Sequence, residues 1–420
     1  MEKNKNKKFE KHPLDNKFIS NNFELTKNIG FANLGNTCYM NSFLQILLHI
    51  PTFLPKLREL YKNKIEEDTI IYNIIKLSEN PFDNNSLYKI KQIISKKYPK
   101  YEKFVQNDTQ HFAIDFIDSI ISEIKNEISF SSHSSEQQSD NEIINIKENI
   151  NFKSKKYNEF INNYKNTGEK TFIEDLFLFV DSRIRYNGEL IDKKKIRFDI
   201  QINIELTFPT NNTKSIYSIY DLLNIKYTNS NIFMDSNNKN NNKNNNNQKT
   251  KIQYCIEILF WFLSFFNFCP KLINDIEENN SNDYNEITQK ENINSSELIE
   301  INEISKIVNL PQILIISLDR GIEGKDLISS KVTFDEELDL KNYIDKDLYG
   351  INLGTKYTLF AINIREGDTI YSGHCYSYVK VENSWVCYND NVVYEKCPKY
   401  SLNSVVGLYY IKENISIEKK

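Results

Sequence analysis

Cysteine is sparse in this sequence. Six residues (38, 255, 269, 375, 387 and 397) are scattered over 420 positions. They lack the dense spacing of a disulfide framework, which suits a reducing compartment better than secretion. Neither charge sign dominates. A formal net charge of -4 and a pI near 5.9 give no electrostatic argument for nucleic acid or an anionic membrane. The N-terminus has no apolar stretch behind its charges, so no signal peptide is expected. A long hydrophobic run is missing too. The most apolar stretch, Ile252 to Phe268, is interrupted by Gln253, Glu257 and Asn267. It falls short of the roughly 20 apolar residues a membrane span needs, and reads as a buried helix or strand. A soluble intracellular protein, cytoplasmic and/or nuclear, is the expectation. The lysine-rich start, Lys3 to Lys11, reads as a solvated tail, with a nuclear address as the alternative. There is no internal repeat.

What is present is apolar enough to build a core: 40% hydrophobic residues, 13% aromatic. The length allows one large domain or two to three ordinary ones. Patterned segments alternate with polar filler at about 129–170, 237–249 and 274–300, rich in Asn, Lys, Glu and Ser. Such filler buries too little apolar surface to offset its ordering entropy, and the middle stretch is of low complexity. The first patterned part reads helical. Met40, Phe43, Leu44 and Leu47 recur at helical spacing before Pro51, and a second helix runs through Phe112, Ile114, Phe116, Ile117, Ile120 and Ile121. From about Thr171 strands are expected: Ile200 to Leu206 by alternation, Ile313 to Leu318 as a buried strand, then Tyr357–Ile364, His374–Val381, Trp385–Asn389 and Val405–Ile411. Helices first and strands later predict an α+β fold rather than β-α alternation.

The richest stretch for chemistry is Gly30 to Ser42. A turn with Gly35 leads through a capping residue, Asn36 or Thr37, into an amphipathic helix whose first turn carries Cys38. Unpaired N–H groups at a helix N-terminus favour thiolate over thiol, which activates a nucleophile. The same groups donate to an oxyanion, with Asn33 as a side-chain donor beside them. A thiolate enzyme also needs an imidazole, and there are five histidines. His12 and His133 lie in polar stretches, His49 closes the nucleophile's own helix, and His111 starts the second helix. His374 alone opens a strand, after Ser372-Gly373, and is the base by elimination. The segment from His374 to Asn389 reads as a hairpin turning near Glu382-Asn383-Ser384. An even turn puts Asn389 on the face of His374, where it orients the ring as in a Cys-His-Asn triad; an odd turn puts them on opposite faces. Asp390 is the alternative orienter.

These residues resemble ubiquitin-specific proteases. Asn33 through Gln45 is similar to the family's Cys box, and Ser372-Gly373-His374 with Tyr378, Trp385, Tyr388-Asn389-Asp390 and Val393 resembles its His box. Between them, Gln106 to Phe112 is similar to the Gln-Gln-Asp-x-x-Glu-Phe motif, and Leu310-Pro311 through Arg320 to the family's Leu-Pro-x-x-Leu-x-Ile-x-Leu-x-Arg strand. The resemblance implies a papain-like fold with a helical thumb (about 28–128), fingers (about 171–309) and a β-rich palm (about 310–412). That catalytic domain, 28–412, would follow a disordered tail, 1–27. It implies thiol-dependent hydrolysis of the bond after ubiquitin's C-terminal glycine, with ubiquitin or ubiquitinated proteins as partners and no cofactor. Cys38 is then nucleophile, His374 base, Asn389 orienter, Asn33 oxyanion donor and Asp390 a supporting carboxylate. Asp108, Gln110 and His111 would meet ubiquitin, Asp108 at its basic tail. Many members hold zinc in the fingers through two Cys-x-x-Cys pairs. Here no cysteine lies in 183–190, and Cys255 would pair with Ile258, so no zinc is expected. His111 stands at an acidic position and Cys375 at an aromatic one; the former leaves room for another ubiquitin-like modifier. A non-catalytic ubiquitin-binding scaffold and a thiol hydrolase acting on other acyl groups are the competing readings.

Overall fold

A computed structural model describes residues 29–61, 67–132, 152–165, 170–187, 190–209, 214–227, 230–235, 298–321, 327–348, 354–369, 372–382, 384–395, 398 and 400–413. The N-terminal tail, His12, His133, the 237–249 insertion and the apolar run with Cys255 and Ile258 lie outside them. So does the 274–300 insertion up to 297. The described helices are α1 (Cys38–Leu48), α2 (Phe53–Leu60), α3 (Ile70–Glu79), α4 (Asn84–Lys97), α5 (Thr109–Ser132), α6 (Phe152–Lys165), α7 (Phe172–Phe177) and α8 (Ile219–Tyr227). The described strands are β1 (Phe179–Asn187), β2 (Leu190–Gln201), β3 (Asn203–Thr207), β4 (Ile216–Ser218), β5 (Ser230–Asp235), β6 (Leu298–Asn309) and β7 (Ile313–Asp319). They continue with β8 (Lys331–Thr333), β9 (Glu337–Asp339), β10 (Lys356–Thr369), β11 (Ser372–Val381), β12 (Ser384–Asn389), β13 (Val392–Glu395) and β14 (Val405–Lys412).

The chain divides into two compact units. The larger holds 1–184, 193–228 and 304–420, the smaller 185–192 and 229–303. Within the smaller, β5 pairs antiparallel with the start of β6. The larger is organised by an eight-stranded sheet of order β13-β12-β11-β10-β14-β7-β3, with β9 on β10. Alternation sets its two faces. One cross-strand row, Ile315, Tyr409, Ala361, Val379 and Val386, packs toward α1 and α5. The next, Ile316, Leu408, Ile362, Tyr378 and Cys387, belongs to a second core with α8. With both faces covered, β7 reads as a continuous apolar run rather than an alternation.

Four local expectations differ from the structure. The expected amphipathic helix at Cys38 has no solvent face, since all eleven residues of α1 are buried. Tyr39 and Phe43 meet Phe112 on one side, while Asn41 and Gln45 bond the chain on the other. The strand expected from Ile200 to Leu206 is parted at Ile202. There the chain leaves the four-stranded sheet of β2 and pairs parallel with β7, where Asn203 donates to Ser317 at 2.8 Å. At Thr171 a short helix, α7, precedes the strands, because Thr171 and Glu174 form a reciprocal capping box. Within the filler at 129–170 lies α6, where the Tyr157 and Phe160 rings pack at a tilt against Phe198. A handful of aromatics thus supplies apolar burial that average composition hides.

Candidate active site

The turn before α1 is held by its own side chains. Asn33 Oδ1 accepts from the N–H groups of Gly35 (3.0 Å) and Thr37 (3.1 Å), and the Thr37 hydroxyl accepts from Leu34 N–H at 2.9 Å. Thr37 is the cap position, as expected, but makes no side-chain cap bond. Gly35 has φ 108° and Asn36 φ 51°, conformations that favour these residue types. Asn36 Nδ2 donates to Phe104 O at 2.9 Å and ties the turn to the segment before α5. Cys38 then opens α1 and is buried.

The β11–β12 hairpin supplies the second half. Its register pairs Val381 with Ser384, leaving two residues between, and Glu382 takes φ 52°. The turn is therefore even. Ser377 pairs with Tyr388, so one step further Asn389 lies opposite Tyr376, on the face of His374. The His374 Nε2 and Asn389 Oδ1 atoms are 2.6 Å apart. With Asn389 accepting, Nε2 carries the proton and Nδ1 is left for the sulfur. Asp390 does not touch the ring. It takes φ 50° at the next turn, its Oδ1 accepting from Asn41 Nδ2 at 2.8 Å and its Oδ2 from Asn33 Nδ2 at 2.9 Å. Its backbone oxygen accepts from Phe31 N–H at 2.9 Å. Asp390 is the clasp joining the His hairpin to the Cys turn.

Gly30 makes this clasp possible. A Cβ there would lie 2.0 Å from Asp390 O and 2.8 Å from the Asn391 backbone. Gly30→Ala is expected to cost about 1–3 kcal/mol or more, as overpacking does. Thermal unfolding should show a lowered midpoint; an unchanged midpoint would mean that the two segments are not in contact.

Electrostatics at the sulfur favour the thiolate. The Cys375 thiol beside it holds Cys38 down to about 4 against desolvation, joined by the His374 ring, the Cys375 N–H at 3.4 Å and Gln106. The bond to Cys38 lifts His374 to about 9, with Asn389 and the Asp390 charge adding and burial opposing. Cys375, beside that charge and fully buried, keeps its proton well above the ordinary thiol range. The pair is thus arranged as thiolate and imidazolium across neutral pH. His49 is of another kind. It is buried, with Nδ1 on Gln45 O (2.6 Å) and Nε2 on the Tyr388 hydroxyl (2.8 Å), and desolvation lowers it to about 4.

Of the residues expected to meet ubiquitin, two are exposed and one turns inward. Asp108 caps α5, its Oδ1 accepting from the N–H groups of Gln110 and His111, and the His111 ring stands 3.6 Å away. Both line a cavity of about 780 Å³ whose exposed carboxylates include Glu205, Asp319 and Glu366. Gln110 is 5% exposed; its Oε1 accepts from Ser317 and Tyr409, and its amide packs on Gly407, where any Cβ would clash. It ties α5 to the sheet. Gln106 and Cys375 also touch the Cys38 sulfur, roles that the sequence does not reveal although both stand within the motifs named above. Their contact with sulfur arises only in the fold. Among the described residues no group of three or more His, Cys, Asp or Glu is placed to hold a metal, and no helix is long and apolar enough to cross a membrane.

A family-wide sequence profile described as ubiquitin carboxyl-terminal hydrolase matches residues 29–410. Mouse ubiquitin carboxyl-terminal hydrolase 37 is 32% identical over 102 residues, 22% of this chain and 10% of that protein. Mouse ubiquitin carboxyl-terminal hydrolase 17-like protein B is 34% identical over 114 residues, 26% of this chain and 23% of that one. The matches thus span less than a quarter of these relatives. Among solved structures, yeast SAGA DUBm with a mutant Sgf73 superposes with a TM-score of 0.59 at 14% identity, covering 92% of this chain and 69% of that one. The SAGA Ubp8/Sgf11/Sus1/Sgf73 DUB module bound to ubiquitin aldehyde gives 0.55 at 15% identity, covering 92% and 70%. The α+β fold is that of these deubiquitinase structures, and the chain belongs to the ubiquitin carboxyl-terminal hydrolase family.

Proposed function

We propose that this chain is a thiol-dependent deubiquitinating peptidase, cutting the peptide or isopeptide bond after ubiquitin's C-terminal glycine. The observation that carries it is the alignment of Cys38, His374 and Asn389: Asn389 Oδ1 stands 2.6 Å from the ring, and ring and sulfur shift each other toward imidazolium and thiolate. In this reading the Cys38 thiolate attacks the scissile carbonyl and its π pair moves to oxygen. His374 gives its proton to the leaving lysine amine, and a thioester remains. Water then attacks as His374 takes its proton, and Cys38 leaves as thiolate. Asn389 keeps the ring in register throughout, and Asp390 keeps the hairpin on the Cys turn.

The acid-lined cavity supports a basic peptide tail as the bound segment, since exposed carboxylates line it and Arg320, one of its cations, is committed elsewhere. Arg320 spends its guanidinium on four backbone carbonyls, at 2.7 to 3.1 Å. Asp108 and Glu366 both line the cavity, and Glu366 pairs with His374 across the β10–β11 strands. Cys38, Cys375 and Cys387 stand outside disulfides, which suits an intracellular, cytoplasmic or nuclear setting.

Ubiquitin carrying a C-terminal thiol-reactive electrophile tests the assignment. A covalent adduct is expected with wild type and none with Cys38→Ala. The rate should follow a bell-shaped pH profile, rising through about 4 as the pair forms and falling through about 9 as His374 loses its proton. Binding without an adduct would favour a scaffold. Reaction only with another modifier's electrophile would move the substrate to that modifier.

A further inference from the structure

Gln106 lies between Phe104, anchored to the Cys turn by Asn36, and Asp108, which caps α5. Its amide is held over the nucleophile. Nε2 is 3.6 Å from Cys38 Sγ and 3.5 Å from Cys375 Sγ, and Oε1 is 3.6 Å from Cys38 Sγ. Sulfur is a weak acceptor. A strong donor whose hydrogen-bond partners are two sulfurs is underused in the resting site. Asn33, by contrast, is committed. Its oxygen accepts from Gly35 and Thr37, and its nitrogen already donates to Asp390.

We propose that Gln106 is a further catalytic residue, donating Nε2–H to the oxyanion that forms when Cys38 attacks the scissile carbonyl. The inference rests on Cys38 being the nucleophile. As the S–C bond forms, the carbonyl π pair moves onto oxygen beside the sulfur. The Gln106 N–H exchanges two weak sulfur contacts for a charge-assisted bond to that oxygen. The bond weakens when the pair returns to re-form C=O and the amine leaves. Asn33's remaining N–H and the first-turn N–H groups of α1 share the load. Because the contact strengthens only as charge develops on oxygen, it should act on kcat rather than on substrate binding.

The test uses the full chain with a fluorogenic ubiquitin C-terminal amide, comparing wild type, Gln106→Ala and Gln106→Glu. Loss of one oxyanion donor typically lowers kcat by about 10²–10³-fold, and that loss is expected in both variants with KM within about threefold. Alkylation of Cys38 by iodoacetamide forms no oxyanion, and at neutral pH, where the thiolate persists, its rate in Gln106→Ala should stay within about twofold of wild type. Ubiquitin aldehyde, which adds to the thiol and creates a tetrahedral oxygen, should lose affinity in parallel with kcat. Unchanged kcat in both variants overturns the proposal. Equal losses in turnover and alkylation overturn it as well, placing Gln106 on the thiolate instead. Wild type that fails to turn over the same substrate overturns the peptidase assignment, and the inference with it.

Discussion

Changing His374 to alanine is expected to lower kcat by about four to six orders of magnitude, the loss seen when the base of a nucleophile–base pair is removed. That is roughly 5–8 kcal/mol of transition-state stabilisation. Two effects combine. The leaving amine loses its proton donor, and the thiolate loses its cation. The second is visible without substrate. Iodoacetamide alkylation of wild-type Cys38 should keep its rate down to a pH of about 4. In His374→Ala the half-point should move upward, because a thiolate without its imidazolium is less favoured. It should stop short of an unassisted thiol, since Cys375 and Gln106 still face the sulfur. Turnover within tenfold of wild type, or an unmoved alkylation profile, would exclude His374 as the partner of Cys38.

Phe112→Ala should produce the largest single-site loss of stability, about 3–5 kcal/mol. Its ring is 1% exposed and meets Tyr39 at 5.3 Å, Tyr101 at 5.3 Å, Phe116 at 5.4 Å and Phe43 at 6.1 Å between centroids. Three of these contacts are edge-on, the geometry that aromatic quadrupoles prefer. Two of the partners stand on α1 within five residues of Cys38. The cavity should therefore loosen the helix that carries Cys38 as well as the core. Urea unfolding measures the loss, with Phe82→Ala as the exposed control, within about 0.5 kcal/mol of wild type. A loss below about 1 kcal/mol would show that the ring cluster does not join α1 to α5.

Much of the larger unit was legible because its signals are local. Met40, Phe43, Leu44 and Leu47 mark α1 by spacing, and Phe112 to Ile121 mark α5. Five strands from Ile313 onward lie where apolar runs and alternation put them. Sequence failed where a partner far along the chain decided the outcome. Ile202 alternates like its neighbours, yet the chain changes sheets there because β7 offers an edge to Asn203. The helix at Cys38 reads as amphipathic, yet its polar face is buried because Asp390 and Ile29 O receive Asn41 and Gln45.

The same division holds within the active site. By itself the sequence determined the chemistry available: a cysteine at a helix start, and a single histidine opening a strand. Both depend on residue type and local spacing. Tertiary structure decided which groups touch. A one-residue slip reverses every side chain of a strand, so the two-residue turn after Val381 decides that Asn389 rather than Asp390 meets His374. Asp390 is thereby free to clasp Asn33 and Asn41, 357 and 349 residues away. Gln106 and Cys375 reach the sulfur across separations of 68 and 337 residues. Contacts of that range are carried by sheet order and helix packing, which no local pattern encodes.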